Sequence, residues 1–273
     1  MKKISIIGGG WLGQPLAHYL STLGHTVSVS RTTTMGATEL CEQHLNGFQF
    51  DLSAPLSESE HKLEATKPDI VIGCFPPGFR KGRGDEYAHY WHTLVSLCQS
   101  LDVSRLVMVS STTVYPNSAD DMTEDSASLE LATRHNHFSD NAVIMLQAEQ
   151  SLIDSGLSYA IVRCSGLIGP ERHPSRFASK LKQVSSLAPA NMLHLTDAVG
   201  AVSFMALNEI SGVVNATTPN TVSKAEFYQS ALDNVGSDDP LPPVVEIKDK
   251  RIVSNKLQDL GYRFHFDHTL EAI

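Results

Sequence analysis

The chain is short of cysteine, of basic charge and of long apolar runs, and each shortage removes a class of protein. Its four cysteines, Cys41, Cys74, Cys98 and Cys164, include no C-x-x-C pair. A disulfide scaffold and a metal site are therefore not expected, and a reducing cytoplasm is. Lysine and arginine total 21 against 30 aspartates and glutamates, a net charge of −9. That balance argues against nucleic acid or an anionic membrane as partner. The longest uncharged apolar-rich run, Ala198 to Asn208, falls far short of the roughly 20 residues that span a bilayer. Met1-Lys2-Lys3 faintly imitates a signal peptide, but Gly8-Gly9-Gly10 interrupts the apolar stretch at once. Collagen-like repeats and low-complexity tracts are missing as well, so 273 residues with 41% hydrophobic content suit one large globular unit with a smaller appendage.

What is present is a rhythm of short β-branched runs and longer helical patterns. Ile4 to Ile7, Thr26 to Ser30, Phe48 to Leu52, Asp69 to Cys74, Arg105 to Ser110 and Ser158 to Cys164 read as strands apolar on both faces, as in a parallel sheet. Leu12, Leu16, Leu20 and Leu23 form one helical stripe, and Glu86 to Leu101 and Val143 to Ile153 also read as helices. No Asn-Gly or Asp-Gly turn joins two of these strands, so right-handed crossovers are expected rather than hairpins. The fold class is α/β, a Rossmann-type doubly wound parallel sheet with a small C-terminal subdomain. The division is expected at 1–165 and 166–273, with 194–218 returning to the large sheet. Asp197 is placed to cap a helix running to Leu207, Ser223-x-x-Glu226 opens another, and Tyr262 to His268 alternates like an edge strand.

Gly8-Gly9-Gly10-Trp11-Leu12-Gly13 is G-x-G-x-x-G between a strand and a helix. Gly8 allows the tight turn, Gly10 lets a diphosphate approach the backbone, and Gly13 lets the helix pack on the strand. The amides of Trp11 and Leu12, at the positive end of that helix, would face the phosphates. Proteins that take NAD place an acid about 20 residues further on. Here the segment is Ser30-Arg31-Thr32, with Arg31 lying 18 residues beyond Gly13. A guanidinium flanked by hydroxyls suits a ribose 2′-phosphate, so NADP(H) is expected over NAD(H). Arg31 as a solvated surface charge is the alternative.

The fifth strand ends in Ser110-Ser111-Thr112-Thr113-Val114-Tyr115, hydroxyls at the edge where doubly wound sheets bind ligands. Together with the glycines this run resembles the S-S-x-x-V-Y segment of the extended and atypical short-chain dehydrogenase/reductases, the NAD-dependent epimerase/dehydratase superfamily. Arg163-Cys164-Ser165-Gly166-Leu167-Ile168-Gly169-Pro170 is similar to its R-x-x-G-x-x-G-P, and His194-Leu195-Thr196-Asp197 to its H-x-x-D. Gly10 to Ala17, Gly84-Asp85-Glu86 and Gly169 to Phe177 resemble a narrower set, the YeeZ-like proteins described as nucleoside-diphosphate-sugar epimerases. The resemblance implies that Ser111, with Thr112 beside it, is the catalytic hydroxyl. It further implies cofactor contacts from Phe75, Pro76, Ser110 and Ser165, and a small-molecule substrate, phosphorylated or a nucleotide sugar.

One departure from the superfamily is large. Its members carry Tyr-x-x-x-Lys on the helix after the fifth strand, the tyrosine moving a proton and the lysine holding the ribose. Aligned on Glu149, those positions are Asn141 and Met145, and no tyrosine or lysine occurs between Pro116 and Ser158. Neither replacement titrates. Tyr87, Asp85, His135, His137 and His173 are the candidates for a substitute. Arg80, Lys81 and Arg83 form the densest basic cluster, read either as a lid for an anionic substrate or as a solvated loop. Arg172 and Arg176 form a second cationic pair suited to phosphate. Two functions therefore stand: an NADP(H)-dependent enzyme with an unusual proton donor, or a redox-sensing protein that binds the dinucleotide without turnover. A monomer or homodimer is expected for either.

Overall fold

The computed structural model describes the backbone of residues 1–273 and every side chain except that of Lys81. The first half builds a crossover array in which each strand is followed by a helix. β1 (Lys3–Ile7) leads to α1 (Gly13–Thr22), β2 (Thr26–Arg31) to α2 (Thr34–Glu42), and β3 (Asn46–Gln49) to α3 (Leu56–Glu64). β4 (Ile70–Gly73) precedes α4 (Gly84–Ser100), and β5 (Arg105–Ser111) precedes a short strand β6 (Asp121–Met122), α5 (Leu129–Arg134) and α6 (Asp140–Ile153). β7 (Tyr159–Cys164) then enters the sheet beside β5.

Beyond it come β8 (Gly166–Ile168), a single turn α7 (Ser175–Ala178), β9 (Val184–Ser185) and β10 (Met192–His194). α8 (Leu195–Leu207) and β11 (Gly212–Ala216) return to the main sheet before α9 (Lys224–Asn234). The seven-stranded sheet has the order β11-β7-β5-β4-β1-β2-β3 with every neighbouring pair parallel. The connections reverse direction between β1 and β4, so the crevice of a doubly wound fold opens at the carboxyl ends of these strands.

Alternate residues of the strands feed two cores. Ile4, Ile6, Ile70, Ile72, Val107 and Val162 face α1 and α8, whereas Val71, Leu106, Met108 and Ile161 face α4 and α6. This is why the strands read as continuous apolar runs. At the far end of the sheet, buried Arg105 donates to the carbonyls of Met205 and Ile210. Its charge thus sits at the negative end of α8.

Three local expectations are corrected. The third strand begins earlier than Phe48, pairing Asn46 with Ser28. α8 starts at Leu195, and its cap is His194, whose Nδ1 accepts from the Thr196 amide at 3.1 Å. Asp197 lies instead in the first turn, fully buried, and its carboxylate accepts from the amides of His265 (2.6 Å) and Phe266 (3.2 Å) and from the Tyr262 hydroxyl. That carboxylate takes the backbone donors a neighbouring strand would need, which is why Tyr262 to His268 forms no strand.

Burial lowers the pKa of His194 from 6.5, against the opposing charge of Asp197 and with His265 adding to the fall. Burial, with the N-terminal amine and Lys2, lowers that of His25, whose Nδ1 accepts from the Lys2 amide. The unfolded chain therefore takes up these protons at higher pH than the folded one. The stabilisation is whole above about pH 6.5 and is lost as pH falls through the lowered folded values. Urea unfolding should show stability dropping from pH 7.5 to 5.5, and His194→Asn, which caps without titrating, should flatten part of that drop.

Candidate functional site

The glycine turn follows from close packing. Gly8 has φ +108°, and a Cβ on Gly13 would stand 2.1 Å from the Gly8 carbonyl oxygen, so only glycine permits α1 to sit this close to β1. A Cβ on Gly10 would meet nothing within 4 Å, leaving that face of the turn open for a ligand. α1 has no side-chain cap, and among the described residues the amides of Trp11 and Leu12 donate to no protein atom. Ser30, expected beside the cofactor, is buried and uses its hydroxyl to accept from the Gly8 amide at 3.1 Å.

A cleft of about 530 Å³ opens in front of this turn, lined by Gly8, Gly10, Arg31, Thr32, Phe75 and Pro76 among others. Arg31 leaves its Nε shielded from solvent with no partner and forms no ion pair among the described residues. Its stem lies against Gly36, where a Cβ would stand 3.0 Å from the arginine Cβ, and Thr33 beside it caps α2 by accepting from the Gly36 amide. Phe75 stacks on Trp91 with ring centres 4.8 Å apart and meets Tyr87 edge-on. The sequence reading missed Phe50, Asp51, Leu52 and Tyr90, which also line the cleft. Their signal was position: Phe50 to Leu52 follow a strand at the carboxyl edge of the sheet, where ligands gather.

Beneath the hydroxyl run lies a buried polar network. Glu149 of α6 and Arg163 of β7, each with 2% of its side chain exposed, pair at 2.7 Å. Ser110 Oγ donates to Glu149 Oε1 at 2.6 Å, so this hydroxyl, expected to meet the cofactor, is spent inside the protein. Arg163 further donates to the carbonyls of Glu124 and Ala127 and to the Tyr115 oxygen, and Tyr115 donates to Asn215 of β11 at 2.6 Å. Burial pushes the Tyr115 phenol up to about 12 against the pull of Arg163. Burial opposes the charge on Arg163, but Glu149 and its hydrogen bonds more than reverse this and raise its pKa. Lys250 donates to the carbonyls of Tyr115 (3.1 Å) and Pro116 (2.8 Å), fixing the chain just after the hydroxyl run.

Above this network, Ser111 caps the turn Thr112–Val114, its Oγ accepting from the Thr113 amide and lying 3.0 Å from the Thr113 hydroxyl. Ser111 and Thr112 are half-buried at the crevice. Ser165 follows β7, with its hydroxyl shielded and unpartnered. Asn141 is exposed near the start of α6, and Met145 is buried among apolar side chains. The candidate proton donors fare poorly: burial raises the Tyr87 phenol above its ordinary value, and Asp85, His135 and His137 are exposed. His173 shares a hydrogen between Nδ1 and Ser175 Oγ at 2.8 Å. Among the described residues no cluster of His, Cys, Asp and Glu could hold a metal ion, and no helix is long and apolar enough to cross a membrane.

The cationic residues divide. Arg172 lies over the Trp11 ring, its Cζ 4.2 Å from the centroid, while the indole Nε1 donates to the Pro170 carbonyl at 2.8 Å. Arg176 is exposed, and its Nη1 donates to the Glu171 carbonyl at 2.9 Å, bracing that turn. Arg80 is exposed on the loop after β4, and the side chain of Lys81 lies outside the described residues.

With turn, crevice and sheet order in place, comparison with known proteins is decisive. The NAD dependent epimerase/dehydratase family matches residues 4–209. The chain belongs to that family. It is 28% identical over 243 residues to protein YeeZ of Escherichia coli K12, covering 88% of this chain and 86% of that one. The fold is shared with solved members. One is the Bordetella bronchiseptica enzyme WbmG in complex with NAD and UDP (TM-score 0.76, 20% identity, 99% of this chain and 93% of that one). Another is Thermus thermophilus UDP-glucose 4-epimerase in complex with NAD (TM-score 0.77, 17% identity, 98% and 96%).

The buried pair yields a prediction. Removing one partner leaves a charge uncompensated in the interior, which typically costs about 3–5 kcal/mol. Arg163→Met should therefore destabilise by about that much in urea unfolding, and the double variant Glu149→Leu/Arg163→Met by less than either single change.

Proposed function

We propose that the protein binds NADP(H) in preference to NAD(H) and uses it on a small anionic substrate, phosphorylated or a nucleotide sugar. The observation that carries the preference is Arg31, a guanidinium with an orphaned Nε beside the start of α2 and facing the cleft. The amides of Trp11 and Leu12 receive the diphosphate, with Gly8, Gly10 and Gly13 giving it room. Arg31 and Thr32 hold the 2′-phosphate while Ser30 keeps the turn in register. Phe75 and Pro76 would line the cofactor, and Ser165, at the end of the strand behind them, would be a further contact.

A nicotinamide held there would bring hydride chemistry to the crevice. Ser111 and Thr112 orient the substrate oxygen by donating to it. Arg172 and Arg80 meet the anionic group, and Arg176 braces the turn that carries Arg172. The named complexes of WbmG with NAD and UDP support a diphosphate-bearing substrate class. A second reading, dinucleotide binding without turnover in a redox sensor, is favoured by Asn141 and Met145 standing where the family carries its tyrosine and lysine.

Fluorescence titration should show NADPH binding more tightly than NADH. Arg31→Ala should weaken NADPH by about 10- to 100-fold, the worth of charge-assisted hydrogen bonds, with NADH unchanged. Tighter NADH binding by the unaltered protein overturns the preference. Turnover is read from nicotinamide absorbance with a panel of uridine- and thymidine-diphosphate sugars and small carbonyl compounds. Ser111→Ala should slow any such turnover by about 100-fold, whereas silence across the panel with NADPH bound favours the sensor.

A further inference from the structure

The side of the sheet covered by α1 and α8 carries a second groove, of about 740 Å³, larger than the cleft at the glycine turn and sharing no lining residue with it. α1 supplies Tyr19 and Leu23, α8 supplies Phe204 and Leu207, and the segment after Gly261 supplies Tyr262 and Phe264. Three of these are packed rings: Tyr262 lies 5.7 Å from Phe204 and 4.9 Å from Phe264 between centres. The leucines of α1 read as one buried stripe, and Leu12, Leu16 and Leu20 are indeed buried. Leu23, just past the helix end at Thr22, is 49% exposed, and Tyr19 is 43% exposed. The rim of the groove is thus built of large apolar side chains that the chain itself does not cover.

Charge is missing from this face. Charged residues make up 19% of the chain, and an even spread would give α1 and α8 several. They hold one, Asp197, fully buried with its carboxylate spent on Tyr262 and the amides of His265 and Phe266. Solvated helix faces carry charge, whereas the centre of a protein interface is poor in charge and rich in aromatic rings. Charge returns at the two ends of the groove with opposite sign. Arg263 stands between Tyr262 and His265, both bonded to Asp197 in the first turn of α8. It reaches the Gln258 carbonyl at 3.5 Å and no carboxylate among the described residues. Glu209, beyond the other end of α8, takes φ +54° at a position helices commonly give to glycine. Its nearest cation is Lys2, 3.9 Å away and itself half exposed.

We propose that this face is the contact between two copies of the chain, related by a two-fold axis that crosses the groove. One surface then provides both halves of the interface: Tyr19 and Leu23 of one protomer enter the groove of its partner, and the reverse. The axis turns one copy end for end, so Arg263 of one protomer meets Glu209 of its partner on each side of the uncharged centre. Opposite charges at the rim fix the register, and the aromatic and leucine side chains supply the burial. The proposal is independent of which cofactor or substrate the crevice holds.

Analytical ultracentrifugation of the full chain, from low micromolar to several hundred micromolar, tests this, with thermal unfolding as the check on folding. The unaltered protein should associate reversibly. Tyr19→Glu and Leu23→Glu should each weaken that association by about 100-fold, as loss of a central anchor does. Leu187→Glu, at an equally exposed leucine outside the groove, should leave it unchanged. Arg263→Glu and Glu209→Arg should each weaken it by about 10-fold, and the two together should restore it, because the swapped charges meet again across the axis. Both charged positions lie at the surface, so this pair judges the contact even if a glutamate at Tyr19 disturbs folding. An unaltered protein that stays monomeric throughout the range overturns the proposal. So does an assembly whose affinity ignores Leu23→Glu, since it is then held by another face. So does a charge-swapped double variant that associates no better than its weaker parent.

Discussion

The ion pair between Glu149 and Arg163 is the constraint around which the crevice is arranged. A carboxylate and a guanidinium so thoroughly removed from water are tolerated only when nearly every donor and lone pair is satisfied. Here Arg163 spends all its N–H groups on Glu149, Tyr115 and the carbonyls of Glu124 and Ala127. The partners come from α6, from the turn after β5 and from the segment after β6. Meeting those demands fixes the tilt of α6 over β7, the path from β5 to β6, and through Asn215 the position of β11 at the sheet edge. The pair contributes less net stability than its geometry suggests, since two charges had to be dehydrated. Its effect is on uniqueness: few arrangements of these elements satisfy both groups.

This explains how the hydroxyl run keeps its place. Ser110 points down to Glu149, so Ser111, next on the strand, points the other way toward the crevice. Lys250 holds the chain beyond Tyr115 from the far side. The support from Glu149 lies one turn beyond Met145 on the same face of α6, so the residues at 141 and 145 stand directly beside the network that holds the hydroxyl run.

Much of this was legible in the amino-acid order, and the illegible part has a common physical character. The strands could be read because burial on both faces leaves β-branched runs, and the glycine turn because a Cβ at Gly13 has nowhere to go. Glu149 served only to register the helix; its partner is supplied by a residue fourteen positions away on another element. Asp197 looked like a helix cap, as any aspartate before an apolar helix would, until the chain between Tyr262 and His268 arrived to claim its oxygens. Arg176 was read by composition as a phosphate ligand, and its bond to the Glu171 carbonyl is a contact that composition could not show. In each case a local preference was overruled by a donor or acceptor brought in from a distance.

The same reasoning bears on what chemistry the crevice can support. General acid–base assistance is typically worth about 10²–10⁴-fold, and neither Asn141 nor Met145 can offer it. Hydroxyls and oriented amides remain, and these stabilise a developing negative charge without moving a proton. A reaction that discharges onto substrate oxygen would then be slow unless the substrate or solvent supplied the proton. A hydride step ending at a carbon conjugated to a group that protonates freely in water would suffer much less. A binding role, in which the cofactor's redox state changes the fit at Trp11 and the turn beyond it, would not suffer at all. Under the proposed reading, the crevice then favours tight, well-oriented binding over proton traffic.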